Sequence, residues 1–497
     1  MRSSKKTLTL RDCLPWLAGT AAGLCYLATR SYFFNFDGVA CAIAVELSDW
    51  KHLVHGNHLG YGVLGWLFFK LWQIVGYSGT ALYCLQVLDS LLGGASVGVF
   101  CSLLLLVGAS PVAAFLASAG LAVSYAWWFW SLEAQVYMLG CLFLALSARS
   151  AFSPKPDPVR TGLWQALAIL GHVGHLMFAP ACLYLLARSS PHGSARKAWK
   201  SYALALGLPV LAAYILAGLL CARPTSLEDA RVWLLGSAAL NLDKSFSWFG
   251  GWSWVNLGDW LRMSLRVFTD FVELPPDLRS AGWLLASAPV AAGAAGVWLG
   301  RDRLSAGALL WLGGYALLYT SWQPHTIVYR VSDLMAVWLL VALLASSSPW
   351  RTALLAVWVG GAGFFNWTLL IEPWTRPESN PAYKASVWLN TVVPENGWVA
   401  AFNLDQVYIP YFGQRKPLNV RYYEGRLPVL AERIESLSKA GEPVFATSRT
   451  LEEAWGEFLR SYELVETARS PEGVALYRLA SGEPGSRAAR AGARVRR

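Results

Sequence analysis

The chain has 497 residues, 55% of them hydrophobic and 14% charged, with a net charge of +10. Soluble domains carry about 25% charged residues, which excludes a wholly soluble chain, and runs such as 91–108 and 354–371 are long enough to cross a bilayer core of about 30 Å. The positive charge gathers in short connections between apolar runs, where it sets membrane orientation rather than marking a nucleic-acid surface, and the eight cysteines stand singly with no C-x-x-C pair, which argues against a disulfide frame or a zinc site.

Taken in order, Arg2, Lys5, Lys6 and Arg11 precede an apolar run without a small-x-small cleavage site, which predicts an uncleaved first span and a cytoplasmic N-terminus. The pattern predicts about eleven spans, at 14–34, 80–106, 111–129, 136–150, 161–172, 175–188, 201–221, 281–300, 305–320, 331–346 and 352–371. The fifth and sixth are short and read as a broken pair around GHVGH. With the N-terminus inside, the basic residues Arg149, Lys155, Arg160, Arg188, Arg196, Lys197, Lys200, Arg301, Arg303 and Arg351 fall at cytoplasmic ends. The run 62–76 is too short to span comfortably and reads as an interfacial helix.

This topology turns four connections to the outer face: 35–79, 130–137, 222–280 and 321–330. The stretch Ser31–Tyr61 gathers Asp37, Glu46, Asp49, His52, His55, Asn57 and His58, with three of the chain's seven histidines. Ionisable groups beside apolar spans are functional candidates by default. Asp37 could serve as a general base toward an acceptor hydroxyl or cap the following helix. His52, His55 and His58 recur every third residue, so one helical face could bind a divalent metal or contact an anionic headgroup or substrate, and the identity of any metal is open. Glu133 and Gln135 lie at the mouth of two spans in WFWSLEAQVYML. His172 and His175 flank Gly174 at the broken pair, where imidazoles and a helix N-terminus suit a phosphate or a structural interhelical bond. His325, Tyr329 and Arg330 precede a late span; the guanidinium could fork onto phosphate, with Asp333 one turn on as its partner, or it could simply snorkel to the interface. The connection 222–280 holds Trp233, Trp248, Trp252, Trp254 and Trp260 with Asp243, Lys244, Asp259 and Asp270, suggesting an amphipathic lid on the bilayer surface.

Composition changes at Glu372: 40 charged residues in 1–371 against 32 in the last 126. Helices at 384–393, 428–441 and 451–462 alternate with strands at 398–403 and 443–448 and a closing strand pair. That pattern predicts a small extracytoplasmic α/β domain over 372–480, followed by a disordered Gly/Ala/Arg tail, 481–497. The domain has no histidine and no phosphate loop, so binding or positioning is its expected role.

The segments NFDGVACAIAVE, HGNHLGYGVLGWLFFKLW, SLEAQVYMLGCLFLALSA, GHVGHLMFAPACLYLL and PHTIVYRVSDLMAVWLLVALL resemble the GT-C superfamily of membrane glycosyltransferases, and within it the protein O-mannosyltransferase-like group. The resemblance covers about residues 10–190, with an echo near 320–345. It implies inverting transfer from a polyprenyl-phosphate-linked sugar at the outer face of the cytoplasmic membrane. It maps the acid after the first span onto Asp37 and the acid of the second outer loop onto Glu133. It assigns donor-phosphate contacts to His172 or His175 and to Arg330; on this reading His55, Asn57, His58 and Glu133 shape the sugar and acceptor site, with Gln135 a further substrate contact. One departure stands out: family members often carry a second acid directly after the first, whereas Asp37 is followed by Gly38, Val39 and Ala40, with Glu46 the next acid. Two rival classes share these features: a transporter or flippase for a lipid-linked or anionic solute, and a non-catalytic assembly protein using its α/β domain to bind partners.

Overall fold

The computed structural model describes residues 9–191, 194–235, 253–300, 302–423, 426–453 and 456–480. Lys5, Asp243, Lys244, Trp248, Trp252, Arg301 and the expected tail 481–497 lie outside the described residues. The chain divides into two compact units. The first comprises Met1–Ser31 and Ala44–Thr375; the second comprises Tyr32–Ile43 and Arg376–Arg497.

The first unit is a helical membrane bundle. Its first helix, Leu10–Ala28, lies against Ala81–Leu106. Gly19 and Gly23 on one helix meet Gly94 and Gly98 on the other, and a Cβ added at Gly94 would stand 2.7 Å from the Gly23 Cα. Small residues four apart on both faces let the two backbones close without side chains between them. Among the described residues, five helices are long and apolar enough to cross a membrane: Ala81–Leu106, Ala195–Ala222, Pro276–Trp298, Ile327–Ala345 and Pro349–Thr375. A sixth crossing arises if Pro111–Val123 and Tyr125–Leu132, bent by 61°, are taken as one. The remaining expected spans form helices at Leu10–Ala28, Tyr137–Ala151, Pro158–Gly171, Ala179–Ser189 and Arg303–Ser321, which are shorter or diluted by polar residues. By length and apolarity alone, five or six of the eleven expected crossings qualify among the described residues.

The bend at Ser124 replaces the straight span expected over 111–129. Ser124 leaves the helical region at ψ 129°, and the amides that this frees are not left bare. Tyr125 and Ala126 donate to the carbonyls of Phe268 and Val267 at 3.1 and 3.0 Å, as buried backbone groups must. The short run after the histidine cluster is one helix, Leu59–Ile74. The Trp-rich connection contains Leu227–Leu235 and Trp254–Arg266. The second of these ends where Arg266 grips Asp270 through two bonds of 2.6 Å.

The second unit is a three-layer α/β fold. Its strands are β1 (Trp398–Ala401), β2 (Lys416–Asn419), β3 (Val444–Thr447), β4 (Glu463–Arg469) and β5 (Ala475–Ala480), in the order β2-β1-β3-β5-β4. β1 pairs in parallel with β2 and β3, while β5 runs antiparallel to β3 and β4. Alternation divides the core. Ala400, Val444 and Ala446 meet Leu430, Ile434 and Leu437 of helix Leu427–Lys439, whereas Val399, Ala401 and Phe445 face Leu389, Val393 and Ile409. The expected helix over 451–462 is two short turns, Ser448–Glu452 and Gly456–Leu459. β2 was not foreseen, because its sequence KPLN contains a proline that only an edge strand tolerates.

Candidate functional site

Four breaks in the helices of the first unit build one polar cluster. The first is the turn after Leu53. Helix Trp50–Leu53 stops there, and His55 and His58 face each other across the turn with rings stacked at 4.5 Å and 14°. His52 turns away to bind Asp49 at 2.7 Å and is exposed. The expected three-imidazole face is therefore not formed, since the helix ends at Leu53, before His55 and His58. Gly56 is also sterically required: a Cβ there would meet the Trp233 carbonyl oxygen at 2.0 Å. Tyr214 and Trp233 donate to the carbonyls of Gly56 and Val54, pinning the turn. Among the described residues no group of three or more His, Cys, Asp or Glu is placed to hold a metal ion.

The second break follows helix Pro158–Gly171. His172 leaves the helix in extended geometry, and a 3-10 turn, Val173–Phe178, leads into Ala179–Ser189. Val173 donates to the Asn57 carbonyl at 2.9 Å, tying this break to the histidine turn. His175 is fully buried. Its Nδ1 lies 2.7 Å from the Tyr315 hydroxyl and its carbonyl accepts from Gln165, while Nε2 has no partner. The ring of His172 packs on Tyr137 at 5.1 Å and lies 6.2 Å from Tyr329.

The third break is the turn Glu133–Val136. Glu133 ends helix Tyr125–Leu132 and is 1% exposed. Holding this turn is a residue that the sequence reading passed over. Asp89, fully buried in helix Ala81–Leu106, accepts from the Tyr61 hydroxyl at 2.5 Å and from the Gln135 amide at 2.8 Å. Asp89 and Glu133 lie close enough to feel each other's charge. An acid in mid-span is itself the signal that could have found it. Removing the Tyr61 hydroxyl exposes the carboxylate's desolvation cost, about 1–3 kcal/mol. Tyr61→Phe is expected to lower the unfolding temperature in detergent, and an unchanged temperature would show that the bond contributes nothing.

The fourth break places Arg330. A 3-10 turn, Ile327–Arg330, precedes helix Val331–Ala345. Arg330 is 1% exposed. One Nη lies 3.0 Å from Asp333 Oδ2, the i,i+3 partner foreseen in the sequence. The guanidinium sits between the rings of Trp260 and Tyr319, at 5.1 and 5.0 Å, so the Trp-rich connection supplies part of its wall. Tyr319 stacks on Tyr329 at 4.8 Å and 10°. Among the described residues the guanidinium nitrogens have no hydrogen-bond partner beyond the Asp333 ion pair, and the Tyr319 hydroxyl and Trp260 Nε1 are buried without partners as well. Buried donors are almost always satisfied. A group of them around one cation suits an anion with several oxygens.

Of the residues foreseen, the first unit brings together His55, Asn57, His58, Glu133, Gln135, His172, His175, Tyr329 and Arg330; Asn57 joins through its carbonyl. His325 stands exposed on the turn before Ile327 and is not drawn in. Tyr61, Asp89, Tyr315 and Tyr319 are the additions. Asp37 belongs to the second unit. It lies exposed in the first turn of helix Phe36–Leu47. It is not the cap, because the Asn35 side chain accepts from the Gly38 amide at 2.8 Å.

Burial lowers the pKa of His58 well below the usual 6.5, with the charges of His55 and His172 adding to the effect; burial, then His52, lowers that of His55. Both therefore enter the site as neutral rings. As pH falls through about 6.5 an unfolded chain takes up protons that these folded imidazoles refuse, so stability is lost on the acid side and unchanged above it. The acid-side fall in melting temperature is expected to be shallower in His58→Gln, and an identical slope would mean that the ring is charged when folded.

No family model and no curated protein matches this chain. Solved structures do. ArnT from Cupriavidus metallidurans in the apo state superposes with a TM-score of 0.62 at 12% identity, covering 94% of this chain and 97% of that one. The same enzyme bound to undecaprenyl phosphate gives 0.59 at 13% identity, covering 94% and 98%. The Archaeoglobus fulgidus oligosaccharyltransferase in complex with Zn and sulfate gives 0.52 at 13%, covering 93% and 72%. At these identities the likeness shows the fold alone: the chain shares the fold of ArnT and of the archaeal oligosaccharyltransferase.

Proposed function

We propose that this protein is an integral-membrane glycosyltransferase that moves a sugar from a polyprenyl-phosphate donor to an extracytoplasmic acceptor. The observation that carries the reading is Arg330: a buried guanidinium, walled by Trp260 and Tyr319, whose nitrogens, apart from the ion pair with Asp333, have no hydrogen-bond partner among the described residues. It fits a phosphate, and one of the proteins sharing this fold is bound to undecaprenyl phosphate.

In the proposed step an acceptor hydroxyl oxygen bonds to the anomeric carbon as the bond from that carbon to the phosphate oxygen breaks. The hydroxyl proton passes to the Asp37 carboxylate, and polyprenyl phosphate leaves with the electron pair. Negative charge grows on the phosphate, so fixed donors there lower the barrier. Arg330 supplies the opposing positive charge, and His172, His175 and Tyr329 complete the pocket as hydrogen-bond donors. Glu133, with Gln135, His55, Asn57 and His58, shapes the sugar and acceptor side, and Asp89 fixes the Glu133 turn from behind. Asp333 keeps the guanidinium aimed, a second-layer role that protects its geometry. The sugar is a hexose or pentose. The N-terminus lies in the cytoplasm, the chain in the cytoplasmic membrane, and the C-terminal α/β unit outside.

The test is transfer by the full chain in lipid nanodiscs, using undecaprenyl-phosphate esters of mannose, glucose and arabinose with an envelope extract of the host as acceptor. A new covalent glycoconjugate and released undecaprenyl phosphate support the reading. Exchange of labelled donor across proteoliposomes without any covalent product would replace it with transport.

A further inference from the structure

We infer that the C-terminal α/β unit is a positioning element for Asp37, holding the segment that carries it through Asn380 and Tyr408. This rests on the proposed role of Asp37 and gives that unit a task inside the reaction.

The observations lie within the second unit. Asn380 and Tyr408 are 6% and 0% exposed. Asn380 Nδ2 donates to the carbonyls of Tyr32 and Phe33, both at 2.8 Å, and reaches the Tyr408 hydroxyl at 3.1 Å. The Tyr408 hydroxyl in turn donates into the carbonyls of Phe33, at 2.8 Å, and Phe34. Two side chains thus satisfy three consecutive carbonyls of a segment with no regular structure of its own. Phe34 is wedged among Tyr32, Tyr383 and Phe412 at 5.6, 5.3 and 5.2 Å.

The segment is also strained. Phe34 has φ +48°, and it is no glycine. Such a conformation costs about 1–3 kcal/mol and persists only where the surroundings over-determine it. Here they do, through four hydrogen bonds to three carbonyls and a ring pocket. Directly after this residue Asn35 caps the helix, and Asp37 follows in its first turn. The chain direction into that turn is therefore set by the α/β unit. A catalytic base needs placement within hydrogen-bond reach of its proton, and an error of about 1 Å can cost a hundredfold in rate.

Asn380 offers a clean test because its two ends do different things. Its Oδ1 caps helix Pro381–Val392 by accepting from the Tyr383 amide at 2.9 Å, while Nδ2 holds the segment. Asn380→Asp keeps the capping oxygen and turns the donor into an acceptor facing carbonyls. The expected result, with the full chain in nanodiscs, is twofold. Deuterium exchange rises at residues 35–43 but not in the sheet, and turnover with the active undecaprenyl-phosphate sugar falls about tenfold or more with KM for that donor unchanged. In an Asp37→Asn background the same change should cause no further loss. Tyr408→Phe should act in the same direction and more weakly.

Exchange at 35–43 unchanged in Asn380→Asp would overturn the clamp. Raised exchange with normal turnover, beside an inactive Asp37→Asn, would overturn positioning while leaving Asp37 as the base. Full turnover in Asp37→Asn itself would remove the base assignment and with it this inference, whatever the exchange shows. Exchange that rises throughout the sheet would mark a folding defect and count against a local clamp, and Tyr408→Phe would then have to show the local pattern for the clamp to stand.

Discussion

Replacing Arg330 with lysine is expected to lower turnover by about a hundredfold, or about 2.7 kcal/mol of transition-state stabilisation. Lysine keeps the positive charge but presents one compact ammonium in place of a planar fork. If the guanidinium holds the leaving phosphate through two or more bonds, the loss falls on the step in which charge develops there. Removal of a single such donor typically costs about a hundred- to a thousandfold. Stability is the competing effect, because truncating one partner of a buried ion pair costs about 3–5 kcal/mol, and Arg330 pairs with Asp333 in a dry setting. Lysine retains that pairing where alanine would not, so Arg330→Lys is the informative change and Arg330→Ala is expected to lower yield as well. The double change Arg330→Met with Asp333→Leu removes both charges, and should recover the melting temperature without recovering transfer. Initial rates across donor concentrations, beside thermal unfolding, check all three. A wild-type rate in Arg330→Lys would remove the phosphate assignment.

The sequence made some of this site legible and hid the rest for identifiable reasons. Arg330 and Asp333 could be paired on paper because their spacing is local, one helical turn. The break at GHVGH could be read because glycine and histidine interrupt an apolar run, and the structure puts a 3-10 turn there. Three-residue spacing misled at His52, His55 and His58, since it predicts a shared face only while the helix lasts, and the helix ends at Leu53. Asp89 was lost inside a run read only for its length. Tyr315 and Tyr319 look like ordinary interface aromatics until the fold sets them beside His175 and Arg330. Least visible was the hold on residues 32–34, made by a residue 348 positions further on. No periodicity encodes such a contact. The composition change near Glu372 lies close to where the second compact unit resumes at Arg376, but nothing in composition groups Tyr32–Ile43 with that unit.

Asp37→Asn is expected to abolish transfer to within detection, a loss of about a hundred- to ten-thousandfold if the carboxylate is the general base. The missing second acid after Asp37 sharpens this expectation. Gly38, Val39 and Ala40 follow it, so no residue adjacent in sequence offers a second carboxylate for the proton. The local structure also makes the substitution mild for folding. Asp37 is exposed, the helix is capped by Asn35 instead, and the charge interaction of a carboxylate with a helix N-terminus is about 0.3–1 kcal/mol. A dead but folded enzyme is therefore the expected outcome. Donor binding should survive, because the phosphate contacts assigned to Arg330 and the tyrosines around it are untouched. Quenching of tryptophan fluorescence by undecaprenyl phosphate would report this, with Trp260 against the Arg330 guanidinium as a reporter. Asp37→Glu should retain partial activity, because the carboxylate is kept but moved by one methylene. Normal transfer by Asp37→Asn would sink the base assignment. Loss of undecaprenyl phosphate binding together with transfer would instead make Asp37 a donor-binding residue, and Glu133, 1% exposed and near Asp89, would become the next carboxylate to test as the base.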